Sequence, residues 1–325
     1  MNKIGITMGD PAGIGPEVVC KALNVMSAEE RAGVLVIGDQ LFMNRARDLI
    51  DADFHFSTDA TPPKGAVPLL QVDAPNAKDI RDGEIQPDAG EAACRCVKKA
   101  VDLALAGEID VVCTASLHKT ALRDAGYNLS GHAGLLKLFT GVKKNFAVLA
   151  GPKLSVIHVS THVSLADAAK YCTTETVLET IRVANEHVKT TGIAKPRVAV
   201  AGLNPHCGEN GHYGSEDDDY VVPAVAAARE EGIDTYGPIP GDLVFEQAIA
   251  GRYDIVVAQY HDQGHIPAKL IGGHECVNIT AGLPILRTSV DHGTAFDIAW
   301  KGVADPGNMQ AAIAMARKMK PIKQA

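Results

Sequence analysis

The chain has 325 residues, of which 46% are hydrophobic and 22% charged, with a formal net charge of −8. This is the composition of a soluble globular protein long enough for two domains or two lobes. The acidic balance argues against a nucleic-acid partner gripped by its phosphates, and no apolar run reaches the roughly 18 residues of a membrane span.

The first apolar run predicts a strand at Ile4–Met8, with no signal-peptide pattern before it. "GDPAGIGPE" follows, and then a helical pattern over Pro16–Val25. The stretch invites a nucleotide-loop reading and fails it. No Lys-Ser/Thr pair follows the glycines, and Gly13-Ile14-Gly15 runs into Pro16-Glu17, so neither the phosphate-loop nor the GxGxxG pattern is met. Pro16 suits the first helical position, and Glu17 would repel a diphosphate placed at the helix N-terminus. A tight strand-to-helix turn accounts for the glycines.

A strand is predicted at Gly33–Ile37, and residues 51 to 88, rich in Pro, Asp and Gly, read as irregular surface structure. The helix predicted over Ala89–Ala106 carries Cys94 and Cys96 on different faces. The seven cysteines are dispersed and odd in number, which points to reduced thiols in the cytoplasm. A strand at Val111–Thr114 leads into "SLHKTALRDAGYNLSGH", which places His118, Lys119 and His132 near one strand end.

The second half has the strongest pattern. Strands are predicted at Phe146–Leu149, Leu154–Val159, Arg197–Ala201 and Asp254–Gln259, and helices at Val163–Tyr171, Glu175–Thr190, Glu216–Glu230 and Pro306–Lys318. Three of these strand runs are followed by a histidine: "LSVIHVSTH" ends on His162, "RVAVAGLNPH" on His206 and "DIVVAQYH" on His261. Ligands of α/β sheets bind beyond the carboxyl ends of strands. One such imidazole alone reads as a loop residue with local hydrogen bonds. Three in equivalent positions point to a divalent metal, with Asp262 as a further ligand or an outer partner. His158 reads as structural. His212 lies in a glycine-rich loop before a helix expected to be capped by Ser215, with Asp218 three residues on. Asp242, after a Gly/Pro turn, either caps the next helix or acts on substrate. Lys269, Asn278 and Arg287 follow the last histidine, and a Lys, an Arg and an amide near a metal suggest an anionic substrate. Strand–helix alternation predicts an α/β fold with a largely parallel sheet, in two lobes that share a cleft.

Several long motifs agree with one family in order and spacing along nearly the whole chain. "ITMGDPAGIGPE", "STH", "GLNPHCGENG", "YHDQG", "VNIT" and "GLPILRTSVDHGTAFDIA" resemble the 4-hydroxythreonine-4-phosphate dehydrogenases of vitamin B6 synthesis. "HDQGHIPAK" and "DHGTAFDIA" resemble most the paralogous branch that oxidises phosphorylated sugar acids such as 4-phospho-threonate and 4-phospho-erythronate. "DHGTAFDIAWKGVADP" is also similar to the nucleotide loop of isopropylmalate and isocitrate dehydrogenases.

The resemblance implies a two-lobed isocitrate/isopropylmalate-dehydrogenase-like fold rather than a Rossmann domain. It implies an NAD-binding lobe over 1–125 plus 280–325, and a metal, substrate and dimerisation lobe over 126–279. His162, His206 and His261 match the metal positions, for zinc or for magnesium, manganese or cobalt. His132, Lys269, Asn278 and Arg287 match the substrate positions. His292, Gly293, Thr294, Ala295, Asp297 and Asp305 match the NAD loop, with Asp297 favouring NAD over NADP. The opening turn then belongs at the nicotinamide end of NAD rather than at its diphosphate. A homodimer with shared active sites is implied, as is metal-dependent oxidation of a β-hydroxy acid followed by loss of CO₂. Lys119, Asp242 and Asp262 are the candidates for proton handling and metal support. One departure bears on the substrate. Gly131-His132-Ala133-Gly134 stands where the family usually has Gly-His-Thr-Glu, and the lost hydroxyl leaves a partner without its hydrogen bond. A cis-dihydrodiol carboxylate dehydrogenase and a non-catalytic metal- or metabolite-binding paralogue are the alternatives.

Overall fold

A computed structural model describes residues 2–320, and residues 321–325, the end of the expected NAD-binding lobe, lie outside the described residues. The chain forms two compact units. One runs to Asn145 and resumes at Leu283, and the other is Phe146–Gly282. The strands are β1 (Ile4–Thr7), β2 (Val34–Gly38), β3 (Phe56–Ser57), β4 (Val67–Gln71), β5 (Val111–Thr114) and β6 (Phe146–Ala150). They continue as β7 (Ser155–His158), β8 (Val198–Ala201), β9 (Thr235–Ile239), β10 (Ile255–Ala258), β11 (Val277–Ala281) and β12 (Leu286–Ser289).

In the first unit the strand order is β3-β4-β2-β1-β5-β12, and each neighbouring pair is parallel. The central strands β1 and β5, with sequences IGIT and VVCT, are buried at every residue. Such continuous apolar runs are what a strand covered on both faces needs. The parallel register of β1, β5 and β12 brings their carboxyl ends side by side, so the loops that follow them are neighbours.

In the second unit the order is β11-β6-β7-β10-β8-β9. Here β6 is antiparallel to both β7 and β11, while β7, β10, β8 and β9 pair in parallel, so among the described strands the sheet is largely parallel, as expected, apart from β6. Leu149, Val156, Ala199, Val256 and Ala268 are among the residues of its apolar core. VAVA and IVVA, the sequences of β8 and β10, are again buried throughout.

Two local expectations are corrected. Residues 51 to 88 are not wholly irregular. They contain β3 and β4, short runs interrupted by Pro68, and proline demotes a run that otherwise reads as a strand. The helix expected over Glu216–Glu230 begins as a π-helical turn at Asp217–Val221 and continues as α-helix over Val222–Glu230. Ser215 does not cap it. Its hydroxyl donates to the Asp219 carboxylate at 2.6 Å, so the expected box with Asp218 does not form. All seven cysteines are free, and burial pushes the Cys96 thiol up to about 12, where it is inert.

Candidate functional site

In the second unit, β7, β8 and β10 end in the loops that carry the three histidines. His162 and His261 come together, with ring centroids 6.0 Å apart. The Nδ1 of His261 lies 2.6 Å from the Asp262 carboxylate. A carboxylate can only accept, so Nδ1 donates and Nε2 keeps its lone pair. That is the usual outer-partner arrangement of a metal-binding imidazole. Asp262 is thus placed to orient the His261 ring.

His206 is set differently. It lines a hollow of 650 Å³ together with Asn204, Asp242, Tyr260 and Asp262. The described residues contain no group of three His, Cys, Asp or Glu side chains placed to hold a metal. The structure therefore brings two of the three expected ligands together within one chain. The loop that carries His206 is strained. His206, Cys207, Glu209 and Asn210 all have φ between 45° and 56°, a region non-glycine residues avoid. The fully buried Asp217 fixes the entry to this loop, accepting from the backbone N–H of Leu203 at 2.8 Å and of Asn204 at 2.9 Å. Gln263 ties the same region down from the other side, donating to Gly202 O at 2.7 Å.

Asp242 lies in the first turn of the helix Gly241–Ile249, where no side-chain cap is formed, and it lines the hollow. Lys269 lines a second hollow, of 420 Å³, with His261, Asp262 and His265. Asn278 sits on β11 opposite Leu149. His158 is structural, as expected. It is buried, its Nδ1 lies 3.3 Å from Ala147 O, and burial followed by the neighbouring His265 lowers its pKa to about 3.

In the first unit the polar groups gather at the ends of β1, β5 and β12. Arg287, on β12, is buried and donates from Nε and Nη2 to the Thr114 hydroxyl at 3.2 and 2.6 Å. Burial lowers its pKa to about 10. His132 opens the helix His132–Thr140. Burial, then the charge of Arg287, holds its imidazole well below the usual range, and its buried Nε2 has no hydrogen-bond partner. Lys119 is exposed and runs alongside Gly131, the residue before His132.

Asp10, which the sequence reading did not single out, is fully buried at the end of β1. One carboxyl oxygen accepts from Ala12 N at 2.9 Å, while Oδ2 has no partner, nor do the buried hydroxyls of Thr7 and Ser116. Buried unpaired polar atoms are uncommon and mark places where a ligand or ordered water belongs. Burial raises the Asp10 carboxyl from 3.8 to about 6. The folded state therefore holds this proton more tightly than the unfolded chain. Roughly 3 kcal/mol of stability is present below pH 3.8 and lost as pH rises through 6. Asp10→Asn is expected to unfold at higher urea than the native chain at pH 8 and to lose that advantage at pH 4. An identical pH dependence in the two proteins would refute the assignment.

The candidate NAD loop, His292–Asp305, is built on the opening turn. Ile14 N donates to Thr294 O at 3.0 Å, and a Cβ on Gly13 would stand 2.9 Å from the Thr294 side chain, which only glycine permits. Trp300 donates from its indole to Pro11 O at 3.0 Å. The Glu17 carboxylate, 1% exposed, accepts from Ala304 N at 2.8 Å and Gly302 N at 3.2 Å. Lys21, one turn on, pairs with Glu17 at 2.9 Å and donates to the carbonyls of the same two residues. Glu17 thus grips the loop's backbone, which explains an acidic side chain at that helix N-terminus. Within the loop Ala295 and Trp300 have positive φ, and the buried Nε2 of His292 has no partner while its Nδ1 faces Gly293 O at 2.8 Å. An acceptor nitrogen held this way fits a ribose hydroxyl or an adenine amine. Asp297 and Asp305 are exposed. Glu17→Ala removes two acceptor bonds and strands Lys21, a cost of about 2–4 kcal/mol. The expected readout is faster hydrogen exchange at the Gly302 and Ala304 amides. Unchanged exchange there would remove Glu17 as the anchor.

Sequence reasoning thus missed Asp10, the clamp role of Glu17, and His265. The last was legible as a second histidine at i+4 from His261 on one helix face.

The family described as pyridoxal phosphate biosynthetic protein PdxA matches residues 30–316. D-threonate 4-phosphate dehydrogenase of Salmonella typhimurium is 44% identical over 322 residues, covering 97% of this chain and 98% of that one. A crystal structure of 4-hydroxythreonine-4-phosphate dehydrogenase from Klebsiella pneumoniae superposes with a TM-score of 0.89 at 42% identity, covering 98% and 99% of the two chains. A terephthalate 1,2-cis-dihydrodiol dehydrogenase from Burkholderia xenovorans is more distant, with a TM-score of 0.73 at 30% identity over 98% of each chain.

Proposed function

The chain belongs to the PdxA family, and from that premise we propose that it oxidises a phosphorylated β-hydroxy acid with NAD and a divalent metal, then releases CO₂. The full-length likeness to D-threonate 4-phosphate dehydrogenase carries this reading. The dihydrodiol alternative is less favoured, because the likeness to the terephthalate enzyme is weaker throughout. The non-catalytic alternative is less favoured, because the relatives matched over the full length are named dehydrogenases.

The fold is read as isocitrate/isopropylmalate-dehydrogenase-like rather than Rossmann, because the glycine turn is spent on holding the 292–305 loop and offers Glu17 to backbone rather than to phosphate. NAD is assigned to His292, Gly293, Thr294, Ala295, Asp297 and Asp305, with Asp297 opposing the 2′-phosphate of NADP. The orphaned Asp10 and Ser116 oxygens support a place for the opening turn at the nicotinamide end. His162, His206 and His261 are assigned to the metal, zinc or else magnesium, manganese or cobalt. The donor chemistry fits, since Asp262 leaves the His261 Nε2 lone pair available. In a homodimer the third imidazole is contributed by the second copy. Ile266 and Leu270, 56% and 78% exposed on the helix that begins at His261, are apolar surface such a dimer would cover.

When bound, the metal and NAD supply Lewis acidity and a hydride acceptor. The protein's part is to bind and orient. Arg287 and Lys269 hold the substrate's anions, the first with a planar fork and the second as a point charge. His132 and Asn278 add neutral hydrogen bonds. The hydroxyl carbon gives up a hydride and its oxygen a proton, and the resulting β-keto acid loses CO₂. Lys119 and Asp242 are assigned to the protons and Asp262 to holding His261. Free thiols throughout suit a cytoplasmic setting.

The test is NADH formation with phosphorylated and unphosphorylated C4 hydroxy acids, with CO₂ trapped in parallel. Equal amounts of NADH and CO₂ from the phosphorylated acids alone are expected. NADH without CO₂, from a dihydrodiol carboxylate only, would replace this reading with the alternative.

A further inference from the structure

The carboxyl ends of β7, β8 and β10, which lead to the three histidines, are joined by two glutamines. Gln259 follows β10 and is fully buried. Its Nε2 donates to Ala201 O, the last carbonyl of β8, at 2.7 Å. Its backbone carbonyl accepts from the Ser160 hydroxyl at 2.9 Å and from Ser160 N at 3.3 Å, two residues before His162. Gln263 is the third residue of the helix His261–Gly272. Its Oε1 accepts from Gln259 N at 2.7 Å, and its Nε2 donates to Gly202 O at 2.7 Å. The two side chains thus tie together the approach to His162, the approach to His206 and both sides of His261.

The orientation of both carboxamides is determined by their partners. A backbone N–H only donates and a carbonyl only accepts, so Gln263 turns its oxygen to Gln259 N and its amide to Gly202 O. Gln259 is fixed in the same way, with Ala201 O on its amide and the Cys172 thiol, 3.4 Å away, on its oxygen. A glutamate of equal size at 263 would set a carboxylate oxygen against the Gly202 carbonyl. The exit from β8 is gripped residue by residue. The glutamines hold Ala201 O and Gly202 O, Ile239 O takes Gly202 N at 2.8 Å, and Asp217 takes Leu203 N and Asn204 N. The left-handed run begins two residues later, at His206. Such backbone persists only where its surroundings over-determine it. The glutamines supply that constraint from the side of the His261 helix.

We propose that Gln259 and Gln263 are positioning residues for the metal site. They set the His206 loop against the His261 helix and so determine metal affinity without touching the metal. This rests on the metal assignment above. Loss of one such outer support corresponds to a roughly tenfold to hundredfold loss of metal affinity.

The experiment measures the zinc Kd of the full chain by competition with a chelator, with urea unfolding of each metal-free protein alongside. The proteins are the native chain, Gln263→Glu, Gln263→Met and Arg229→Ala. Arg229 is a backbone clamp of the same unit at the opposite end of the strands, where its Nε donates to Thr235 O at 2.8 Å at the start of β9. Its loss is expected to lower the urea midpoint and leave zinc binding unchanged. The zinc Kd is expected to rise by about a hundredfold in Gln263→Glu and by about tenfold in Gln263→Met, which loses the bonds but adds no repulsion. A native Kd in the Gln263 variants overturns the proposal. An equal rise in Arg229→Ala also overturns it, by making the effect one of general loosening. Should Gln263→Glu not fold, Gln263→Met decides by the same criterion. A native protein that binds none of zinc, magnesium, manganese and cobalt fails differently: it removes the metal reading itself, and this proposal with it.

Discussion

Replacing His261 with alanine is expected to lower kcat/KM by about a thousandfold, because the Lewis acidity of a catalytic metal contributes several kcal/mol to the transition state. The same substitution is expected to release the metal, read by elemental analysis of the dialysed protein. Stability should change little, since the side chain is 38% exposed and its charged partner Asp262 is 71% exposed. The effect should also exceed that of Asp262→Asn, which keeps the ligand and disturbs only its orientation, at about tenfold to a hundredfold. A His261→Ala protein that keeps its metal and its turnover would contradict the assignment of the triad.

Arg287→Lys is expected to lower kcat/KM by about a hundredfold, through KM as well as kcat. Charge is kept, but the planar fork is not, and a buried charge-assisted pair of hydrogen bonds loses about 3 kcal/mol when one of the two goes. Arg287 already spends Nε and Nη2 on the Thr114 hydroxyl. Thr114→Val should therefore reproduce part of the loss by freeing the guanidinium to turn, without touching substrate. If Arg287→Lys binds phosphorylated and unphosphorylated acids as the native protein does, Arg287 has no part in anion binding and its role is to hold β5 against β12.

Much of this was legible in the sequence because it depends on local pattern. Runs such as IVVA before His261 declare a buried parallel strand, and a histidine after the run falls at a strand's carboxyl end by topology alone. The spacing of those residues could not say which rings meet. His162 and His261 do, and His206 sits on a strained loop whose left-handed residues no propensity rule predicts. The short strands β3 and β4 were hidden by proline and by their length. Glu17 was read as hostile to a diphosphate, and its use as a backbone clamp lay out of reach, because its partners are N–H groups 285 and 287 residues away. His265 was missed for a related reason. Its contact is with His158, a residue 107 positions earlier.

The central claim is that metal, NAD and a phosphorylated hydroxy acid meet in one reaction on this chain. The most direct measurement follows NADH at saturating NAD with 4-phospho-threonate, 4-phospho-erythronate and 4-hydroxythreonine-4-phosphate, before chelation, after it, and after metal is restored. The account predicts NADH from at least one phosphorylated acid, its loss on chelation and its return with zinc, magnesium, manganese or cobalt. NADH formation that survives complete removal of metal, or none from any of the three acids with metal present, would contradict it.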